Sequence, residues 1–509
     1  MPSGKVYLIG AGPGDPELIT TRGLRKLGEA DVVLYDALVH PDVLLHARPD
    51  ARREFVGKRA GRASERQEDI NRRMIDEAAR GHVVARLKGG DPYLFGRGSE
   101  EAEALAAAGV AFEVVPGVPS TMAATAYAGI SLTHRDLASS VAYITATESA
   151  EKDASAHDWS KLATATQTLV IFMGLRKLDS LMALLTQNGR DPSTPAAVVQ
   201  WASLPEQRVV VGTVADIAKR AHDAGLGMPA LTIVGPVVSL REQLRWFDVK
   251  PLFGKRVLVT RPAHQARGLG TLLRDAGAEP VFAPVIRIVP PTDPRPFEGA
   301  LARLSTFTWV IFTSRNGVDR TFDALAAAGR DARAFGSARV VAIGPATRDA
   351  LAAHGIQADA MPEEFVGEAV AARVIELGGG SLAGARVLMP RAAVARDALP
   401  DALRAAGATV DVVAAYETVG PTPEEAEALR ASVTAGIDAV TFTSASTVSE
   451  TARALGADAA GVLASTIVAS IGPITTARAE ELGIRVDVTA SEYTNRGLVA
   501  ALAEHFRSR

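Results

Sequence analysis

Short apolar runs alternate with helix-spaced stretches from about Lys5 to Val115. The runs Val6–Ile9, Val32–Tyr35, Val83–Leu87 and Phe112–Val115 each have the length of one buried strand. Between them, Glu17–Leu27, Glu65–Ala79 and Ser99–Ala108 repeat their apolar residues at helical spacing. That alternation predicts an α/β domain with a mainly parallel sheet. Pro116-Gly117 marks a turn. A second α/β unit is predicted beyond it, with strands at Val141–Thr145, Thr168–Met173, Ala196–Val199 and Ala230–Val234 and helices at Leu178–Gln187 and Val214–Ala224. Leu240–Pro251 reads as a closing helix and short linker.

A new unit opens at Gly254-Lys-Arg-Val-Leu-Val-Thr-Arg-Pro262 and contains an internal repeat. Arg256–Arg261 recurs as Arg386–Arg391, Gly277-Ala-Glu279 as Gly407-Ala-Thr409, and Phe312-Thr-Ser314 as Phe442-Thr-Ser444, all at one offset. After a two-residue slip, Ile343-Gly-Pro-Ala-Thr347 returns as Ile471-Gly-Pro-Ile-Thr475, and Glu364-Phe-Val366 as Glu492-Tyr-Thr494. Two similar α/β lobes with a site facing both are expected.

Composition narrows the function classes. At 509 residues the chain suggests about three to four domains. A net charge of −3 argues against a protein devoted to the nucleic-acid backbone, so anionic ligands must be met locally. The absence of cysteine removes disulfides, thiolate nucleophiles and cysteine zinc sites, and the nine histidines have no metal-ligand spacing, so no metal is expected. No segment approaches the roughly 18 apolar residues of a membrane span, and the opening residues lead directly into a strand. The expectation is a cytoplasmic protein with no membrane partner. The last lysine is Lys255, so carboxylates bound beyond it would be met by arginine.

Two loops carry the candidate chemistry of the first half. Gly10-Ala-Gly-Pro-Gly-Asp15 and Lys88-Gly-Gly-Asp-Pro-Tyr-Leu-Phe-Gly-Arg-Gly98 each follow an apolar run, at the end of a strand where α/β sheets bind ligands. The first lacks the third glycine of a dinucleotide fingerprint and has proline inside the turn, which removes a donor a pyrophosphate would need. Gly89-Gly-Asp91 offers open backbone and one carboxylate, suited to an ammonium or hydroxyls.

Residues from about 5 to 247 resemble the uroporphyrinogen-III C-methyltransferases of the tetrapyrrole methylase family. Besides these two loops, the matching stretches are Ala30-Asp-Val-Val-Leu-Tyr-Asp36, Val56-Gly-Lys-Arg-Ala-Gly61, Leu132-Thr-His-Arg-Asp136 and Gln167-Thr-Leu-Val-Ile-Phe-Met-Gly174. The resemblance implies two α/β domains, 1–116 and 117–247, with S-adenosylmethionine (SAM) bound between them and uroporphyrinogen III methylated twice to precorrin-2. It sets Pro13, Gly89, Gly90, Asp91, Leu94, Met173 and Ala202 around SAM, and makes Asp36 and Lys58 proton acceptor and donor. It also implies a homodimer through this half. Asp36 can equally be a strand-end cap and Lys58 a solvated loop charge. Pro119-Ser120 departs from the family's pattern at a backbone contact to SAM, and Thr145-Ala-Thr147, with the polar stretch 148–158, replaces a frequent Thr-Gly-His.

Residues from about 254 to 503 resemble the uroporphyrinogen-III synthase family, through Val257-Leu-Val-Thr-Arg-Pro262, Trp309–Val318, Ala342–Thr347, Tyr416-Glu-Thr418, Ala439–Ser446 and Glu492-Tyr-Thr494. The implied fold has one lobe from 254–287 with 418–509, another from 288–417, and a two-stranded connection. The implied reaction closes hydroxymethylbilane to uroporphyrinogen III with inversion of the last ring. Thr313, Ser314, Gly344, Thr443, Ser444 and Gly472 would hold substrate carboxylates, Arg261 and Arg391 would pair with them, and Tyr416 would assist hydroxyl departure. The same residues also suit strand-end turns and hinge packing. The sequence therefore supports a bifunctional enzyme, or alternatively a methylase whose synthase-like half binds tetrapyrrole without turning it over.

Overall fold

The computed structural model describes residues 4–57, 66–147, 157–364, 366–394 and 397–508. The chain is α/β throughout and forms two compact units. One comprises 1–256 with 273–279 and 503–509; the other comprises 257–272 with 280–502.

The first unit holds two five-stranded sheets. In the first, β1 (Lys5–Gly10), β2 (Val32–Tyr35), β3 (Arg52–Phe55), β4 (Val83–Lys88) and β5 (Ala111–Val115) lie in the order β3-β2-β4-β1-β5, all parallel. Alternation along these strands fills both faces: Val6, Leu8, Leu34 and Val84 pack on one side, and Ile9, Val33, Ala85 and Leu87 on the other. Burial on both faces explains the nearly unbroken apolar runs. β3 is the exception, a polar edge strand, Arg-Arg-Glu-Phe, that the apolar pattern missed.

The second sheet contains β6 (Val141–Thr145), β7 (Thr168–Phe172), β8 (Pro195–Gln200), β9 (Arg208–Thr213) and β10 (Ala230–Val234), in the order β6-β7-β10-β8-β9. Only β6 and β7 run parallel, and β10 is antiparallel to both its neighbours. The helix at Leu178–Gln187 has the bounds the spacing predicts, whereas the expected helix at 214–224 shortens to Ile217–Asp223.

The second unit also holds two sheets, and its strands are distributed in a way the repeat does not announce. One sheet runs β12-β11-β18-β19-β20, from β11 (Arg256–Val259), β12 (Glu279–Phe282), β18 (Ala439–Phe442), β19 (Ile467–Ser470) and β20 (Val488–Thr489). The other runs β13-β17-β16-β14-β15, from β13 (Arg287–Val289), β14 (Trp309–Phe312), β15 (Arg339–Ala342), β16 (Arg386–Ala392) and β17 (Thr409–Val419). The repeat makes β11 the counterpart of β16, β14 of β18, and β15 of β19. Each sheet therefore takes its first strands from one repeat and its last from the other. β13 pairs antiparallel with the end of β17, Ile288 opposite Thr418.

Glu113 on β5 supplies a pH handle. It accepts from Lys5 Nζ at 3.1 Å and Arg22 Nε at 3.0 Å. Hydrogen bonding to Arg22, then to Lys5, holds its carboxyl down from the ordinary 4.5 to about 2. A carboxyl with a depressed folded-state pKa stabilises the fold above its unfolded value and loses that contribution as it protonates. The stability gap between wild type and Glu113→Gln should therefore be full above pH 4.5 and close as pH falls toward about 2, read from urea unfolding across that range.

Candidate functional site

The loops after β1 and β4 meet the loops after β7 and β8 around a cavity of about 500 Å³. Pro13, Gly89, Leu94, Ser120, Met173 and Ala202, singled out from sequence, line it together with Phe95, Phe172, Trp201, Met228 and Leu231. The remaining three expected contacts do not line it. Gly90 exchanges two backbone hydrogen bonds with Gly12, at 2.7 and 3.3 Å. Both Asp91 oxygens are engaged: Oδ1 accepts from Tyr93 N at 2.8 Å and Oδ2 from Gly117 N at 2.9 Å. Pro119 precedes the helix Ser120–Ala128.

Five non-glycine residues among those described have left-handed backbones: Phe95, Arg97, Met173, Trp201 and Ser203. Three line the cavity and the other two lie within two residues of a lining residue. Such conformations are costly and persist only where surrounding contacts enforce them. Here Phe95 packs on Phe172, ring centroids 4.7 Å apart. Ser203 Oγ accepts from Asp15 N at 3.0 Å, while Ser203 N donates to Gln207 Oε1 at 3.0 Å. Gln207 in turn donates to Tyr127 O, and the Tyr127 hydroxyl donates to Asp15 Oδ2 at 2.7 Å. Burial, then the Asp15 bond, pushes that hydroxyl's pKa well up, so it remains a donor. Sequence reasoning missed Phe95 and Trp201, since nothing local in the sequence marks a left-handed aromatic.

Asp36 directly follows β2, and its neighbours Ala37 and Leu38 line the cavity. Its Oδ1 accepts from Arg86 Nη2 at 2.7 Å. Arg86 is 2% exposed and also donates through Nε to Glu101 Oε1 at 3.0 Å and through Nη1 to Leu87 O. Lys88 Nζ donates to the same Glu101 oxygen at 2.9 Å, as does Gln67 Nε2 at 3.0 Å, and Glu101 is wholly buried. Burial opposes the Arg86 charge, but Glu101 and Asp36 outweigh it and raise its pKa. For Lys88 burial comes first and repulsion by Arg86 next, and its pKa falls. A buried charge relay thus fixes the Asp36 carboxylate, which lies about a third open to solvent at 29%. Lys58 falls outside the described residues. No cluster of three or more metal-ligating side chains occurs among the described residues.

In the second unit, Arg261, Thr313, Ser314, Gly344, Thr443, Ser444 and Gly472 fall on the carboxyl-end loops of the two sheets, whereas Arg391 lies in β16 and Tyr416 in β17. Ser314 caps the helix Arg315–Ala327, accepting from Gly317 N at 3.1 Å, and its Oγ lies 3.0 Å from the hydroxyl of Tyr416, which is buried on β17. Ser444 caps Ala445–Leu455 in the same way. Gly344 and Gly472 precede the helices Pro345–Ala353 and Pro473–Glu481, and Thr313 and Thr443 stand just after β14 and β18. A Cβ at Gly472 would come within 2.9 Å of the Tyr493 ring, so only glycine lets that ring lie over the loop. Arg391 is 8% exposed and ion-paired with Asp397. Arg261 instead donates to two neutral amides, Asn495 Oδ1 at 2.7 Å and Gln265 Oε1 at 3.1 Å.

Residues 5–218 match the family described as Tetrapyrrole (Corrin/Porphyrin) Methylases, and residues 268–500 the family described as Uroporphyrinogen-III synthase HemD. The porphyrin biosynthesis protein HemD of Ruminiclostridium josui is 39% identical over 451 residues, covering 88% of each chain. The chain joins a member of the tetrapyrrole methylase family to a member of the uroporphyrinogen-III synthase HemD family. Both halves are thus of enzyme families. The uroporphyrinogen-III C-methyltransferase of Bacillus subtilis (strain 168) is 41% identical over 334 residues, 65% of this chain and 68% of the relative. A solved uroporphyrin-III C-methyltransferase of Thermus thermophilus, complexed with S-adenyl homocysteine, is 41% identical and overlays 46% of this chain and 99% of its own at a TM-score of 0.40.

The end of β1 and the chain segments following β4 and β5 approach one another closely at glycines. A Cβ at Gly117 would fall 2.3 Å from Gly90 O and 2.7 Å from Gly10 Cα. Gly117→Val should cost about 1–3 kcal/mol by overpacking and displace the Gly89-Gly90 loop. A lowered melting temperature in calorimetry is the expected result.

Proposed function

We propose that the methylase half transfers two methyl groups from SAM to uroporphyrinogen III, giving precorrin-2, and that the synthase half supplies that substrate by cyclising hydroxymethylbilane. The observation that carries this reading is the cavity between the carboxyl-end loops, with a carboxylate held at its edge by a buried arginine. Its volume lies within the roughly 300–1,000 Å³ of small-molecule sites. The apolar wall of Leu94, Phe95, Phe172 and Met173 beside the open backbone of Gly89 suits a ligand with an aromatic base, a thioether-like centre and hydroxyls.

When bound, SAM supplies an electrophilic methyl group. Pro13, Gly89, Leu94, Ser120, Met173 and Ala202 would hold it, with Gly90, Asp91 and Pro119 shaping the loops beside them. The rest of the chemistry belongs to the protein. Once a pyrrole carbon has attacked that methyl, the ring must shed or relocate a proton from another of its atoms, and Asp36 takes it, positioned by Arg86. Lys58 is the family-implied donor. Alignment of the reactants supplies a further share of the acceleration.

In the synthase half, Tyr416 assists loss of the substrate hydroxyl, its own hydroxyl oriented by Ser314. Thr313, Ser314, Gly344, Thr443, Ser444 and Gly472 offer hydroxyl and backbone donors to the acidic side chains, with Arg261 and Arg391 as cations. The division into modules 1–116, 117–247, 254–287 with 418–509, and 288–417 belongs to the same reading, as do homodimer formation through the methylase half and a cytoplasmic setting. Among the described residues no helix is long and apolar enough to cross a membrane.

The test is incubation of the purified chain with hydroxymethylbilane and SAM. A methylated isomer-III product is expected. Unmethylated isomer III would remove the methylase activity, and isomer I alone would leave the synthase half as a binding module.

A further inference from the structure

The internal repeat makes Arg261 and Arg391 equivalents, yet the structure treats them differently. Arg391 has its counter-charge in Asp397. Arg261 has no carboxylate against it among the described residues; its guanidinium rests on the amide oxygens of Asn495 and Gln265. Gln265 continues the chain of contacts through Nε2 to Asn316 Oδ1 at 2.6 Å. That bond joins the helix Ala263–Asp275, which follows β11, to the helix Arg315–Ala327, which follows β14 in the other sheet. Arg315 precedes Asn316 and brings a second cation, shared with Asp319 at 3.2 Å. Burial, and then repulsion by Arg315, lowers the Arg261 pKa. A partly buried guanidinium held only by neutral acceptors is under-compensated, and a carboxylate is the acceptor it binds best, shorter and stronger than an amide.

Resting on the synthase reading above, we propose that Arg261, with Arg315 beside it, forms the carboxylate-reading subsite of the synthase half, and that the two lobes are unequal in this respect. An acidic side chain of the tetrapyrrole replaces an amide oxygen on Arg261. The same exchange loosens Gln265 from its place between the helices, so that carboxylate binding and the Gln265–Asn316 bridge are coupled. The substrate enters with one acidic arm committed to the β11 side, which gives a linear tetrapyrrole a defined direction in the cleft.

The full-length chain with hydroxymethylbilane tests this, with isomers separated by chromatography. Arg261→Gln should raise KM for the bilane roughly 10- to 100-fold, the range for a lost charge-assisted hydrogen bond, with kcat changed far less. Arg261→Lys should recover part of the loss. Arg315→Gln, on an exposed side chain, provides a variant that keeps the fold and should raise KM by a smaller factor. Quenching of protein fluorescence by uroporphyrin, which carries the same acidic arms, should weaken in parallel and lose much of its salt dependence in Arg261→Gln. Wild-type KM and quenching in both the Gln and the Lys variants at position 261 would overturn the subsite while leaving the synthase reading intact. A wild-type chain yielding only isomer I would overturn that reading and the subsite with it.

Discussion

Glu101→Met is expected to destabilise the methylase half by about 3–5 kcal/mol, the cost of breaking a buried ion cluster on one side. Glu101 Oε1 accepts from Arg86, Lys88 and Gln67, and the two cations it serves are only 2% and 3% exposed. With the carboxylate gone, among the described residues Asp36 alone pairs with Arg86, and Lys88 keeps no anion within hydrogen-bonding reach. Methionine approximates the volume, so cavity formation contributes little to the effect. Urea unfolding followed by circular dichroism should show the first transition moving to lower denaturant while the transition of the other unit stays in place. Lys88 gives the variant a second signature. Its pKa is already depressed by burial, and without Glu101 it falls further; a lysine depressed in the folded state is less penalised once it is neutral, so the deficit of the variant should shrink as pH rises toward the unfolded lysine value of 10.5. A deficit independent of pH and below 1 kcal/mol would remove the charge cluster from the account of stability.

Asp36→Ala is expected to slow methylation by about 10²–10⁴-fold, the span for loss of a positioned proton acceptor, while SAM binding stays close to wild type. The cavity wall explains the separation. Asp36 does not line the cavity, whereas Ala37 and Leu38 do, so the substitution removes a carboxylate without removing a contact surface. Arg86 remains ion-paired with Glu101, which keeps the fold intact. Single-turnover methylation of uroporphyrinogen III, run beside titration calorimetry with SAM, separates the two quantities. Turnover at the wild-type rate would return Asp36 to a strand-end cap held by Arg86. Asp36→Asn should behave like the alanine variant, because it keeps the shape and loses the basicity.

Much of the site was legible because glycine and proline interrupt apolar runs at strand ends, and six of the nine residues expected around SAM line the cavity. The rest was hidden for physical reasons. Phe95 and Trp201 adopt left-handed backbones enforced by contacts distant in sequence, such as Phe95 on Phe172 and Ser203 on Asp15. Asp91 looked like a carboxylate free for a ligand, and it instead ties Gly117 and Tyr93 into the loop. The edge strand Arg208–Thr213 escaped the reading because its exposed face blurs the contrast with the following turn, and Arg52–Phe55 because it is nearly all polar. The repeat was plain in the sequence, but the way its strands distribute was not: pairing of β11 with β18 joins residues about 180 positions apart, as the bond from Thr260 Oγ1 to Thr441 O illustrates, and no local pattern encodes such a partner.

That distribution of strands has a mechanical consequence. Gly379 and Gly380, between the two repeats, lie exposed with open space around them. A protease cutting there would separate the chain without separating the molecule, since each fragment holds part of both sheets and neither can leave without unzipping the parallel seams β11–β18 and β14–β16 and the antiparallel seam β13–β17. The nicked product should migrate as one particle until denatured. Conversely, a polypeptide with a single repeat would own no complete sheet and would have to borrow its missing strands from a twin, the arrangement from which a tandem duplication yields a monomer with interlocked halves.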